Sequence, residues 1–275
     1  MELRVLGPLA ADVAGMSILP SAAKPRQILA LLVLNANRIV TVPHLMEELW
    51  GAEPPRSAAT TLQTYILQLR RKLRAAFKSG RQGEANEVLV TRHGGYLLDV
   101  DPGSVDSLEF DRMTQAGYSA FDSGAMGPAS ALLASALDQW RGPALVDVRC
   151  GRHLSIEATR LEECRLGVLE RRIRADLQLG RHHELIGELS ALVGVHPLHE
   201  SMHAHLMLAL HRDGRPSRAL EVYRGLREIL VEELGLEPSA QLQRLQQAIL
   251  RSDARLDLRM DAAVKGGGGH GELAG

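Results

Sequence analysis

The sequence predicts a mainly α-helical chain in two parts, a small α+β unit over residues 1–102 and an all-helical array over residues 104–252. Three observations carry this expectation. Short strand-like runs broken by glycine and proline occur only in the first hundred residues. From Ser104 onward every segment reads as helix. The pair Gly180-Arg181 recurs as Gly214-Arg215, an offset of 34 residues that matches a stacked helix-pair repeat. A length of 275 residues leaves room for about two domains, and 45% apolar with 24% charged residues is an ordinary globular balance.

Taken in order, Glu2–Leu6, Ala10–Ala14 and Ser17–Leu19 read as strands, with Gly7-Pro8 and Gly15 as breakers. A first helix begins after Lys24-Pro25, with Ile28, Leu31, Leu32 and Asn35 on one face. Residues 39–41 read as one short strand. A second helix runs from Val42-Pro43 to Trp50 and is stopped by Gly51 and Pro54-Pro55. A third runs from Ser57, a candidate N-cap, to about Phe77. Its apolar residues Leu62, Ile66, Leu69 and Leu73 repeat at four, three and four, a narrow stripe facing a core. After a glycine- and charge-rich loop (Ser79 to Ala85), Val88–Thr91 and Tyr96–Asp99 flank Arg92-His93-Gly94-Gly95. That is a hairpin with two glycines available for positive φ. Strands, three helices and a hairpin in about 100 residues are the layout of a winged helix-turn-helix.

A boundary falls at Asp101-Pro102-Gly103. Helices are then expected at 106–123, 127–140, 156–179, 182–195, 198–212, 216–235 and 238–251. The 34-residue offset is the tetratricopeptide period. Ala219 and Tyr223 stand where that repeat wants a small and then a large residue, and Leu185 and Leu189 occupy those places in the preceding unit. Such pairs stack into surfaces that dock other chains. Residues 253–275, which include Gly266 to Gly269, are too poor in apolar residues to fold and are expected to be disordered.

Net charge is −1, but it is unevenly spread. Residues 1–103 carry twelve Lys and Arg against nine Asp and Glu, whereas the remainder carries twenty against twenty-four. Between Pro54 and Gly83 lie Arg56, Arg70, Arg71, Lys72, Arg74, Lys78 and Arg81, with no acid. A polyanion meets a basic stripe there. With the leucine stripe of the third helix inward, the opposite face carries Thr60, Thr64, Leu67, Gln68 and Arg71, flanked by Ser57, Thr61 and Arg74. Arginine can fork to guanine, glutamine can pair with adenine, and threonine offers a hydroxyl and a methyl, which suits a major groove. A merely solvated face would normally mix acids with bases. Thr60, Thr64, Gln68 and Arg71 are therefore the expected base contacts. Arg56, Thr61, Arg70, Lys72, Arg74 and Lys78 are expected on the DNA backbone, with Arg92 at the hairpin tip entering a minor groove.

The strings Leu69-Arg70-Arg71-Lys72-Leu73, Thr91-Arg92-His93-Gly94-Gly95-Tyr96 and Leu45-Met46-Glu47-Glu48-Leu49-Trp50-Gly51 resemble the OmpR-type winged helix of bacterial response regulators. Lys24-Pro25-Arg26-Gln27 and Thr61-Leu62-Gln63-Thr64-Tyr65-Ile66 resemble the Streptomyces antibiotic regulatory proteins. Asp213-Gly214-Arg215 and Glu232-Glu233-Leu234-Gly235-Leu236-Glu237-Pro238 are similar to their bacterial transcriptional activation domain. The resemblance covers residues 1 to about 250. It implies an activator of a secondary-metabolite gene cluster that binds promoter direct repeats, as a homodimer on DNA, and recruits RNA polymerase holoenzyme. It also places the family's base contacts on Thr60, Thr64, Gln68 and Arg71 and its wing arginine on Arg92. Nothing precedes residue 1 in the sequence, so control through the phosphorylatable receiver of OmpR-type regulators is not expected, nor is the ATPase domain of the larger relatives.

Other classes are weaker. No leader is read at the N-terminus, and the longest apolar run, Ile28–Leu34, is far short of a membrane span. Cys150 and Cys164 fit no metal or redox spacing and suit a reducing cytoplasm, with nucleoid association following from DNA binding. His199-Glu200-Ser201-Met202-His203 spells H-E-x-x-H, so a zinc hydrolase is the rival. However, the string lies at the start of a helix beside Pro197, Leu206 stands where a metzincin needs glycine, and a third ligand such as Glu221 must come from a neighbouring helix. His182, His183, His205 and His211 scatter over helix faces, and Lys265 with its glycines follows no strand. An adaptor whose winged helix binds protein is a third reading, opposed by the acid-free stripe. No cofactor, no metal and no enzymatic activity are expected.

Overall fold

The computed structural model describes residues 1–79 and 88–257, the side chains of Lys78 and Ser79 excepted. The expected loop after Ser79 and most of the glycine-rich tail lie outside the described residues. The chain divides into two compact units, Met1–Arg171 and Arg172–Gly275.

In the first unit, β1 (Glu2–Arg4), β2 (Ala10–Val13) and β3 (Met16–Ser17) form an antiparallel sheet in that order. Helix α1 (Ala23–Leu34) follows, then β4 (Ile39–Thr41), α2 (Val42–Trp50) and α3 (Ala58–Ser79). The hairpin β5 (Leu89–Arg92) and β6 (Gly95–Leu98) completes a second sheet of order β4-β6-β5. Thr41 caps α2 by accepting from the His44 amide, and Pro43 fits the first turn, where no N–H partner is needed.

Two expectations change here. Helix α1 is buried all round rather than on one face, with Gln27 through Val33 each at most 5% exposed. It packs against α2, α3 and β6, and its core also takes in Leu3, Ala11 and Val13 of the first sheet. Periodicity marks a helix with one wet side, and this helix has none. The hairpin turn is also tighter than expected, because Arg92 and Gly95 pair across it and leave His93-Gly94 as a two-residue turn. Gly94 alone adopts positive φ, at 77°. Gly95 serves a different purpose: a Cβ there would stand 2.3 Å from the Val40 carbonyl oxygen of β4.

Helices α4 (Asp106–Asp122) and α5 (Met126–Leu137) pair closely, with Gly117 admitting the Leu133 side chain. Leu6, in the loop after β1, is fully buried with Phe110, Leu133, Trp140 and Leu161. The buried Asp106 carboxylate accepts from the Val5 and Leu6 amides at 2.8–3.0 Å. Burial raises the Asp106 pKa, opposed by those amides and by Arg141. Asp147 accepts from the Leu9 amide at 2.7 Å and pairs with Arg26.

Helix α6 (Arg152–Gln178) runs through the division between the units. The second unit continues with α7 (His182–Val195), α8 (Glu200–Arg212), α9 (Pro216–Leu234) and α10 (Ala240–Leu250). Its 34-residue offset is a structural repeat of helix ends. Gly180 and Gly214 both take left-handed φ, at 81° and 75°. The following amides, Arg181 and Arg215, bond back to the Asp176 and Leu210 carbonyls. Leu185, Leu189, Ala219 and Tyr223 are buried between helices, as the repeat requires. Arg212 donates to the carbonyls of Leu177 and Leu256, so the first residues of the expected tail, 253–257, form a short turn.

Candidate nucleic-acid interface

The residues of α3 divide cleanly by burial. Leu62, Ile66, Leu69 and Leu73 are 1–2% exposed and belong to the core of the first unit. At ~100° per residue, Thr60, Thr64, Gln68 and Arg71 fall on the opposite side, and all four are exposed. Leu67 lies among them, 44% exposed. Thr61 is half-buried at the flank, and Arg56 is exposed in the turn before the helix. Arg74 is exposed near the far end, and the Lys78 side chain lies outside the described residues. The Thr64 hydroxyl donates to the Thr60 carbonyl at 3.0 Å, which commits its proton to the helix and leaves its lone pairs and methyl for outside contacts.

Two further cations of the stripe, Arg70 and Lys72, are held by the protein, and Arg81 lies outside the described residues. Arg70 donates from Nε to the Leu89 carbonyl at 3.1 Å and from its terminal nitrogen to the Thr91 hydroxyl at 2.7 Å, close to the Tyr96 ring. It therefore ties α3 to the first strand of the hairpin. The Lys72 ammonium donates to the Leu19 carbonyl at 3.2 Å, on the opposite flank. The helical wheel carries a signal for both, since each sits beside the buried stripe rather than across from it. Their partners, 19 and 53 residues away, have none. Arg92 closes β5 beside the two-residue turn, exposed.

Sequence reasoning missed Glu48, on α2. Its carboxylate is 3% exposed and accepts from the amides of Gly151, His153 and Leu154 at 2.5, 2.8 and 3.1 Å. It therefore caps the first turn of α6, where unpaired N–H groups and the helix dipole favour an anion. Glu47 pairs with Arg152 and His153, and those bonds lower its pKa. The His44 and His153 rings lie 3.7 Å apart, and burial first, then His153, lowers the His44 pKa.

The H-E-x-x-H string is spent on structure. His203 is buried, with Nε2 3.0 Å from the Pro197 carbonyl, and Glu200 accepts from the Ser239 amide at 2.8 Å. Among the described residues no three His, Cys, Asp or Glu side chains are grouped to hold a metal ion. None of the described helices is long and apolar enough to cross a membrane.

A winged helix whose third helix turns an exposed, acid-free face outward, followed by paired helices, defines a DNA-binding transcription regulator. The comparisons agree. The family of the bacterial transcriptional activator domain matches residues 105–250, and that of the transcriptional regulatory protein C-terminal domain matches residues 19–98. The regulatory protein DnrI of Streptomyces peucetius is 54% identical over 94% of this chain and 94% of its own length. The transcriptional regulator RedD of Streptomyces coelicolor is 37% identical over 92% of this chain and 71% of its own. The regulatory protein AfsR of S. coelicolor is 38% identical, but this chain spans only 25% of its length. A solved structure of Mycobacterium tuberculosis EmbR, in complex with a low-affinity phosphopeptide, superposes with a TM-score of 0.85 at 33% identity, covering 91% of this chain and 65% of that one. The chain belongs to the Streptomyces antibiotic regulatory protein family of transcriptional activators.

Proposed function

We propose that this activator serves one antibiotic or secondary-metabolite gene cluster, binding direct repeats at its promoters and recruiting RNA polymerase holoenzyme. The observation that supports it most is the outward face of α3, exposed and, Leu67 apart, polar, opposite a stripe buried to 1–2%, in a helix free of acids. Laid in a major groove, Arg71 forks to guanine, Gln68 pairs with adenine, and Thr60 and Thr64 offer acceptors and methyl groups. Arg56, Thr61 and Arg74 lie along the passing phosphates. Arg70 and Lys72 first orient the hairpin and the helix through the carbonyls they hold, and Arg92 reaches the adjacent minor groove.

In this reading residues 1–102 hold the operator, and the helical residues 104–252, acidic in balance, support dimerisation and polymerase contact. The protein works in the cytoplasm, at the nucleoid, and needs no cofactor. Two copies sit head to tail, about one helical turn apart. Footprinting the full chain on promoters next to its gene is expected to protect two direct repeats. Inserting half a turn between them is expected to abolish cooperative binding and activation in transcription with purified holoenzyme. Unchanged activation after the insertion would overturn the tandem arrangement.

A further inference from the structure

An exposed leucine on a helix is ordinary by itself. Leu67 differs in its company. It lies seven residues after Thr60, three after Thr64 and four before Arg71, so it stands midway along the outward face, on the side that borders Arg74. Every other member of that face carries a side chain able to hydrogen-bond, and no acid or second large apolar side chain lies among them. The leucine is 44% exposed while its neighbours Ile66 and Leu69 are buried to 2%. Truncating it therefore leaves the core intact.

A side chain on a major-groove face, midway along the helix, meets base edges, and Leu67 can neither donate nor accept. Opposite a guanine, adenine or cytosine edge it would strip water from a polar group and give no bond in return. Only thymine offers an apolar group there, its C5-methyl. We infer that Leu67 is a specificity-determining residue that reads a thymine methyl, at a base between those met by Thr64 and Arg71. The inference rests on α3 being the major-groove helix.

Deoxyuridine differs from thymidine by that methyl alone, which gives a direct test. The operator duplex defined by footprinting is resynthesised with deoxyuridine replacing thymidine at one position at a time, and the full chain is titrated on each duplex. Burying one methyl group is worth about fourfold in affinity. One thymine per repeat is expected at which the wild type loses about fourfold, and Leu67→Ala is expected to be indifferent to that replacement while binding the natural operator at least fourfold more weakly. If no thymine methyl matters to the wild type, or if the same methyl matters equally to Leu67→Ala, the inference is overturned. Arg71→Ala on the same duplexes separates the two failures. Loss of operator preference in that variant leaves the helix assignment standing and removes Leu67 alone. Retention of full preference removes both.

Discussion

Two adjacent glycines at the tip of the hairpin do different jobs, and substitution distinguishes them. Gly94 has open space around it and a positive φ, so alanine there costs the left-handed penalty, about 1–2 kcal/mol. At Gly95 an added Cβ would lie 2.3 Å from one backbone atom of β4 and 3.0 Å from another, neither of which can swing aside. Gly95→Ala is expected to cost about 3 kcal/mol, the upper range of overpacking, in denaturant unfolding. Equal losses for the two variants would show that β4 does not constrain the hairpin. In the sequence the two positions look alike, because only the strand pairing, with partners more than fifty residues apart, tells them apart. The outward face of α3 was legible for the opposite reason. A repeat of four, three and four fixes which side of a helix is dry, and the wet side follows without reference to any other element. Arg70 and Lys72 mark the limit of that logic. Their charge was visible, but the carbonyls that hold them were not.

Helices α2 and α3 begin close to where their caps and breakers predict, and the helix pairs of the second unit end at the two repeated glycines. What no local pattern announced is the bond between α2 and α6. Glu48 reads as one of two adjacent acids on a surface helix, yet it meets amides 103 to 106 residues away. Those three bonds predict an asymmetry between neighbours. Glu48→Gln keeps the shape but turns an amino group toward an N–H, and is expected to cost about 2 kcal/mol of unfolding free energy. Glu47→Gln, at a 40% exposed side chain that keeps an acceptor for the exposed Arg152 and the half-buried His153, is expected to change stability little. If both substitutions are silent, Glu48 does not hold the start of α6.

At the scale of the whole chain, a net charge of −1 conceals a basic stripe of about thirty residues beside an acidic remainder. On the proposed function, that asymmetry separates the surface for DNA from the surfaces left for protein. The first compact unit also extends past the hairpin. Leu6 is buried with Phe110 and Trp140, and Asp106 and Asp147 take the amides of Val5, Leu6 and Leu9. Cutting the chain after residue 103 would leave those groups without partners, so binding is best measured in the full chain. The most direct measurement compares Arg71→Ala with Arg56→Ala on operator and scrambled duplexes across a range of salt concentrations. Arg71→Ala is expected to lose about 1–3 kcal/mol on the operator alone, concentrated at one base position. Arg56→Ala is expected to weaken both duplexes alike and reduce the salt slope by about one. An equal loss on both duplexes for Arg71→Ala would contradict the claim that the outward face of α3 reads bases.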